Sequence, residues 1–239
     1  MEFSNRLYVG SIILIFFLIS FFFNLDFFLL FIISIISLFE VTQIFLKRNK
    51  SKLRLIFLLI IVFFLFISFF VFHLPLIIFL SFSVLTLFFI FINQKNIDFY
   101  LVILILLFLL FLHEVLQYDR KLFYIVFTIS FINDTSAFLI GSYFKGPLII
   151  PSISPKKTWS GTISSFIIVL TIFYFVNINF IFSIIFSLSL FFGDILFSYI
   201  KRKLMLKDFS KILLSHGGIL DRLDSIFLFV LFLTTFYLT

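Results

Sequence analysis

Long apolar runs and short polar breaks alternate along the whole chain. A membrane-spanning helix needs about 20 mainly apolar residues, with a range of roughly 17–25. Nine runs approach or meet that length, at residues 7–23, 27–45, 55–72, 76–93, 99–116, 122–141, 160–176, 179–200 and 223–238. Two of the breaks are longer than the rest, at residues 142–159 and 201–222. The pattern predicts an all-α polytopic membrane protein with about nine transmembrane helices.

The composition supports a membrane location. Hydrophobic residues make up 63% of the 239 positions and charged residues only 12%, against about 25% charged residues in a soluble domain. Cysteine is absent, which excludes disulfides, thiolate nucleophiles and cysteine-based metal sites. The first apolar run lacks the small-residue cleavage site of a signal peptide, so we expect it to stay as a membrane helix.

The basic residues predict the orientation. With nine spans, sixteen of the eighteen lysines and arginines fall on the side of the N-terminus, and only Arg120 and Lys121 fall on the other. Because positive charge concentrates in cytoplasmic loops, we expect the N-terminus and both longer breaks to face the cytoplasm. Orientation then explains most of the +7 net charge, and no nucleic-acid partner is predicted.

Residues that interrupt regular backbone are concentrated in the second half. Six of the seven glycines, three of the four prolines and the single tryptophan, Trp159, lie between positions 141 and 218. Glycine and proline mark turns and irregular segments. The sequence therefore predicts N-terminal transmembrane helices over residues 1–121 and a C-terminal catalytic transmembrane domain over residues 122–239, with a cytoplasm-facing active-site cavity.

Four aspartates are candidates for chemistry in that half. Asp134 and Asp194 each lie about seven residues from the cytoplasmic end of a span, or roughly 10 Å deep at 1.5 Å per residue. Asp221 and Asp224 open the last span and share one helix face. Capping or a neutral buried acid is the structural alternative for each, but intramembrane acids are usually functional. Oxygen ligands beside abundant lysine favour Mg²⁺ with a phosphate substrate.

Two polar segments supply candidate anion-binding groups. "SISPKKTWSG" (residues 152–161) places two lysines and hydroxyls before a helix start, where backbone N–H groups bind phosphate. "SHGG" (residues 215–218) is a glycine turn that leads into the last helix. Lysines in cytoplasmic loops more often set topology or contact lipid headgroups, although Arg202 and Lys207 lie close to Asp208 in the sequence.

Several enzyme classes are excluded because the chain lacks their sequence motifs. His113 and Glu114 are not followed by the second histidine of HExxH, and the chain has no GxxxxGK[ST] loop. The D-G-x-x-A-R…G…D-x-x-x-D pattern of CDP-alcohol phosphotransferases is also missing.

One long segment, "SYIKRKLMLKDFSKILLSHGGILDRLDS" (residues 198–225), resembles the signature of the phosphatidate cytidylyltransferases, or CDP-diacylglycerol synthases. The matching positions are Ser198, Lys201, Arg202, Lys207, Asp208, Ser210, His216, Gly217, Gly218, Asp221, Arg222 and Asp224. "SPKKTW-G" (residues 154–161) and "GD" (residues 193–194) match two further family blocks. The resemblance covers about residues 130–225 and departs from the family pattern at Ser160 and Phe197, where glutamate is usual, and at Leu214, where proline or glycine is usual.

The resemblance implies transfer of a cytidylyl group from CTP to phosphatidic acid, with Mg²⁺ as cofactor, in the cytoplasm-facing part of a bacterial inner membrane. It implies a homodimer, which nothing in the sequence itself shows. The implied catalytic residues are Asp194, Lys201, Arg202, Lys207, Asp208, His216, Asp221, Arg222 and Asp224, with Asp194, Asp221 and Asp224 as metal ligands. The implied substrate-binding residues are Asp134, Ser154, Lys156, Lys157, Thr158, Ser198, Gly217 and Gly218.

Two other functions remain open from the residues. A related CTP-using enzyme, such as a polyprenol or phytol kinase or a synthase acting on an ether lipid, would share the nucleotide and differ in the acceptor. A transporter or channel would use the buried acids as an ion path, but we would then expect acids through the membrane depth rather than at one face.

Overall fold

The computed structural model describes residues 15–47, 97–212 and 217–236. Helix is the dominant structure of these residues. The helices are α1 (residues 15–22), α2 (Asp26–Lys47), α3 (Ile97–Tyr118), α4 (Arg120–Phe144), α5 (Trp159–Phe175), α6 (Phe180–Lys203) and α7 (Leu220–Phe236). Two short strands, β1 (Leu148–Ile150) and β2 (Ser154–Thr158), lie between α4 and α5. The predicted spans 55–72 and 76–93 lie outside the described residues.

Four of the described helices are long and apolar enough to cross a membrane. They cover Asp26–Ile44, Tyr100–Tyr118, Arg120–Phe144 and Phe180–Lys203, and the apolar helix Trp159–Phe175 is slightly shorter. These helices confirm an α-helical integral membrane protein. The count of nine spans, the orientation and the cytoplasmic cavity stay predictions.

Local sequence signals determine where the helices begin and end. Helix α4 starts after Asp119, whose side chain accepts a hydrogen bond from the Lys121 N–H, and Thr158 caps α5 in the same way through the Gly161 N–H. Such caps satisfy backbone donors that have no partner within the helix. Asn24 and Asn177, with φ of 57° and 61°, make the left-handed turns before α2 and α6, a conformation that asparagine tolerates.

The strands form a small antiparallel hairpin in a break that the sequence predicts only as irregular. Leu148 pairs with Thr158 and Ile150 with Ser154, with an irregularity between the two pairs. The Trp159 N–H donates to the carbonyl oxygen of Pro147 (3.0 Å), so β2 continues directly into α5. The hairpin therefore fixes the position of the "SPKKT" segment relative to its neighbouring helix.

The chain divides into two compact units. The first comprises Met1–Gln117 and Lys203–Arg222, and the second comprises Tyr118–Arg202 and Leu223–Thr239. Residues 203–222 thus group with the N-terminal helices, while the predicted division at residue 121 stays a prediction. In the described part of the first unit, α3 is buried along most of its length.

Close helix packing organises the second unit. Gly161 of α5 lies against α4 so tightly that an added Cβ would come 2.4 Å from the carbonyl oxygen of Ala137. Phe173, Phe186 and Phe229 form a buried aromatic cluster, with ring centroids 5.4–6.0 Å apart. Because α5, α6 and α7 each contribute one of these rings, the cluster holds the three helices together.

Candidate active site

The contact between α6 and α7 brings two of the predicted site aspartates onto one packed surface. A Cβ at Gly193 would lie 2.8 Å from the carbonyl oxygen of Asp224 and 2.9 Å from that of Ser225. Only glycine permits so close an approach of one helix to the backbone of another. Asp194 follows Gly193 directly, so the glycine places it beside the helix turn that carries Asp224.

Asp194 forms an ion pair with Lys157. Lys157 lies on β2, and its Nζ is also 5.6 Å from the centre of the Phe191 ring. The Ser198 hydroxyl donates to Asp194 Oδ1 (3.3 Å) from one turn further along α6. The hairpin and α6 thus bring together three residues from three separate sequence blocks, all of them predicted to be site residues.

Asp224 has its own lysine partner. Lys201 Nζ lies 3.4 Å from Asp224 Oδ2, and both side chains are about nine-tenths buried. Lys201 lies seven residues after Asp194, about two helical turns on, and so shares its face of α6. A buried ion pair of this kind tolerates the loss of one partner poorly, because the remaining charge is left without compensation.

These pairs form a single charged cluster. Asp134, Asp194, Lys157 and Lys201 all lie close enough to interact electrostatically with Asp224. Asp134 on α4 accepts a hydrogen bond from the Asn133 side-chain amide (3.3 Å). The second unit therefore brings together three of the four predicted aspartates with two of the predicted cations. We call these five residues the charged cluster.

Replacing Gly193 by alanine tests the helix contact that forms the cluster. Alanine has the higher intrinsic helix propensity, so a local effect alone would stabilise α6 by about 1 kcal/mol. We expect the opposite, a loss of about 1–3 kcal/mol, because the new methyl group meets backbone atoms that cannot rotate away. Thermal unfolding in detergent measures it, with Ser142→Ala on the exposed face of α4 as control. A Gly193→Ala protein as stable as wild type would contradict the packing.

The fourth aspartate, Asp221, closes a loop in the first unit. Its Oδ2 accepts hydrogen bonds from the N–H groups of Phe209 and Gly218, both at 2.9 Å. Gly217 has φ of +79°, and a Cβ there would lie 2.8 Å from the same oxygen. The family resemblance implies a metal ligand at Asp221 and a substrate contact at Gly218. In the structure, these two groups bind each other.

The other predicted site residues differ in their contacts and exposure. Arg202 Nε donates to the carbonyl oxygen of Ile153 (3.1 Å), which ties the end of α6 to the hairpin. Lys207, Asp208 and Arg222 are exposed, and Ser154 is partly buried on β2. The side chain of Lys156 and all of His216 lie outside the described residues.

Two residues that depart from the family pattern, Ser160 and Phe197, make uncharged contacts with their neighbours. Ser160 Oγ accepts a hydrogen bond from the Gly146 N–H (3.3 Å) and lies 3.2 Å from Thr158 Oγ1. Phe197 is buried on α6 and packs on Phe227 of α7, with ring centroids 5.6 Å apart. The third, Leu214, lies outside the described residues. Ser160 and Phe197 therefore fit local structure that needs no carboxylate.

Sequence reasoning missed one buried acid, Glu40 on α2. Glu40 is fully buried, and its carboxylate contacts the signature segment of the first unit. The available signal was a lone acid in the middle of an apolar span, which is a functional hypothesis by default. All the site residues predicted from the sequence lie in the second half of the chain, whereas Glu40 lies in the first.

The chain was compared with known protein families and curated proteins. The cytidylyltransferase family matches residues 4–239. A phosphatidate cytidylyltransferase of Rickettsia conorii is 40% identical over 138 residues, which cover 50% of this chain and 60% of that protein. One from Staphylococcus aureus strain COL is 42% identical over 115 residues, covering 44% of each chain. The matches thus span about half the length of these curated relatives. With nearly the whole chain matched by the family, this protein belongs to the cytidylyltransferase family.

Proposed function

We propose that the protein transfers a cytidylyl group from CTP to phosphatidic acid, giving CDP-diacylglycerol and pyrophosphate for membrane phospholipid synthesis. The charged cluster carries this proposal, since it pairs carboxylates on apolar helices with lysines of β2 and α6 in a cytidylyltransferase-family protein. Phosphatidic acid is proposed as the acceptor lipid because the relatives are named phosphatidate cytidylyltransferase. A transporter would need acids distributed across the membrane, whereas three carboxylates gather in this one cluster.

The reaction needs no nucleophile from the protein. A phosphate oxygen of phosphatidic acid attacks the α-phosphorus of CTP, the bond from that phosphorus to the β-phosphate oxygen breaks, and pyrophosphate leaves. The protein must align the two anionic substrates and offset the charge that develops on the phosphate oxygens. Lys157 and Lys201 would supply positive charge next to Asp194 and Asp224, whose carboxylates keep both ammonium groups in position.

The remaining site residues are assigned to substrate binding within the same proposal. Arg202, Lys207 and Arg222 would bind phosphate oxygens of the nucleotide or of the lipid. Hydroxyls of Ser154 and Thr158 would donate hydrogen bonds to the same groups, and Ser198 would contribute through the hydrogen bond that it donates to Asp194. Lys156, Asp208, His216 and the backbone of Gly217 complete the proposed set.

Mg²⁺ is the cofactor that the carboxylates fit best. Among the described residues, no group of three or more acidic, histidine or cysteine side chains forms a ready metal site. Mg²⁺ commonly binds through only one or two carboxylates and takes further oxygen ligands from substrate phosphates. Asp194 and Asp224 would hold the ion, with Asp221 as a third candidate, and it would neutralise charge on the phosphates of CTP.

The membrane arrangement belongs to the proposal as well. We place the protein in a bacterial inner membrane with nine spans and with its active site open to the cytoplasm, where CTP is dissolved. The distribution of lysine and arginine supports this orientation. A homodimer is proposed on the family resemblance alone.

The experiment uses membranes that contain the full chain, CTP labelled in the cytidine, and three acceptors in parallel: phosphatidic acid, an ether-linked phosphatidic acid and a polyprenol. We expect labelled CDP-diacylglycerol with the first acceptor and none in membranes without the protein. Label in the ether lipid alone would reassign the acceptor, and so would labelled polyprenyl phosphate in a parallel reaction with CTP labelled in the γ-phosphate. No CDP-lipid with any acceptor would overturn the proposal.

Removing divalent cations tests the cofactor assignment separately. EDTA in excess is expected to reduce transfer to background, because the phosphate charges then lack their neutralising ion. Addition of Mg²⁺ beyond the chelator is expected to restore the rate. Transfer that continues at the full rate in EDTA would contradict a role for any divalent metal.

A further inference from the structure

We infer that Glu40 on α2 is a positioning residue for the proposed reaction, since it holds the signature segment that begins the last helix. This inference rests on the proposed function. It gives a supporting role in the site to the N-terminal half of the chain, which the sequence predicts only as membrane helices.

The carboxylate of Glu40 makes three hydrogen bonds to that segment. Its Oε1 accepts from the Ser210 hydroxyl (2.7 Å) and from the Ile219 N–H (2.8 Å), and its Oε2 accepts from the Leu220 N–H (3.0 Å). The two backbone donors lie at the start of α7, where N–H groups have no partner inside the helix. Glu40 therefore caps α7 from a distant part of the sequence.

Glu40 is enclosed by groups that satisfy a buried carboxylate. The residue is 0% exposed, and burying a charge is costly unless hydrogen bonds and a favourable dipole compensate. Gly218 leaves the necessary space, because a Cβ there would come within 2.5 and 2.6 Å of the two carboxylate oxygens. The absence of a side chain at Gly218 thus makes room for the carboxylate of Glu40.

The same segment carries residues to which we assign substrate contacts. Asp221, which follows the capped residues by one position, holds Phe209 and Gly218 through its own carboxylate. Glu40 and Asp221 together hold residues 209–210 and residues 218–220 in place. Lys207, close before Phe209, and Arg222, directly after Asp221, are the proposed phosphate-binding residues whose positions depend on this support.

Glu40→Gln is the sharpest test because glutamine has nearly the same shape. It keeps one acceptor oxygen and replaces the other by an NH₂ group, which cannot accept from the Leu220 N–H. We expect kcat to fall by about 10- to 100-fold, the range typical when a residue that orients functional side chains is replaced. The KM for phosphatidic acid is expected to change little. Glu114→Gln on α3 is the matched control and is expected to keep the wild-type kcat.

A second pair of variants separates positioning from general damage. Ser210→Ala removes one of the three hydrogen bonds, so we expect a smaller loss alone and almost no additional loss in the Glu40→Gln background. Glu40→Asp retains the charge on a shorter side chain and is expected to recover part of the activity lost in Glu40→Gln. Thermal unfolding in detergent identifies any variant that fails to fold.

Limited trypsin digestion gives a readout that does not depend on the proposed function. Lys207 and Lys211 are exposed on either side of Phe209 and Ser210, which Asp221 and Glu40 hold, so folded Glu40→Gln is expected to be cut there several times faster than wild type. If the wild-type protein had no transferase activity, the proposed function would be wrong. The digestion rates would still show whether Glu40 holds this part of the chain in place. A folded Glu40→Gln protein with wild-type kcat and a wild-type digestion rate would overturn the inference.

Discussion

Asp194→Asn is expected to lower the rate of cytidylyl transfer by about 100- to 1,000-fold, the loss typical when one preorganised electrostatic contact to a transition state is removed. Asparagine has the same size but no charge, so it ends the ion pair with Lys157 and removes a hard oxygen ligand for Mg²⁺. The Lys157 ammonium also loses the partner that holds it beside Phe191. The rate with saturating CTP and phosphatidic acid is the quantity to measure.

Asp119→Asn is the matched control for that experiment. Asp119 caps α4 through the Lys121 N–H, and asparagine caps helices about as well as aspartate. We expect this variant to retain the wild-type rate. If Asp194→Asn also retained it, Asp194 would have no part in the chemistry, and the charged cluster would be a structural feature only.

Lys201→Met is expected to have the second large effect, on stability as well as on activity. It leaves the carboxylate of Asp224 buried without its cation partner, and breaking a buried pair in this way costs about 3–5 kcal/mol. We therefore expect a lower unfolding temperature in detergent and loss of transfer. Lys121→Met, an exposed lysine of α4, should change neither quantity.

The double variant Lys201→Met/Asp224→Asn separates the two effects. Removing both charges eliminates the uncompensated carboxylate, so the unfolding temperature is expected to recover towards that of wild type. Transfer is expected to stay lost, because neither the cation nor the carboxylate is present. Recovery of activity together with stability would show that the pair serves folding alone.

Much of the helical framework follows from the apolar runs. The predicted spans 122–141 and 179–200 correspond to α4 and α6, each of which extends by a few residues into flanking polar positions. These extensions arise because caps such as Asp119 determine helix ends, whereas hydropathy marks only the apolar centre. The grouping of Asp134, Asp194 and Asp224 also follows from sequence, because each acid lies near the same predicted end of its helix.

The contacts that sequence could not supply depend on tertiary packing. The ion pair of Lys157 with Asp194 depends on the hairpin of β1 and β2. The sequence does not predict this hairpin, because three apolar residues followed by a proline-containing turn give no clear strand pattern. The bond of Glu40 to Ser210 joins positions 170 residues apart. Asp221 was expected to bind a metal because its spacing matches the signature, yet its Oδ2 accepts two backbone hydrogen bonds, which spacing alone does not predict.

The most direct test of the central claim compares purified wild type and Asp224→Asn in lipid nanodiscs that contain phosphatidic acid. CTP labelled in the cytidine is added with Mg²⁺, and labelled CDP-diacylglycerol and released pyrophosphate are measured together. We expect wild type to form the two products in equal amounts and Asp224→Asn, confirmed as folded by thermal unfolding, to form almost none. Wild type that makes no CDP-diacylglycerol, or folded Asp224→Asn that makes it at the wild-type rate, would contradict cytidylyl transfer at the charged cluster.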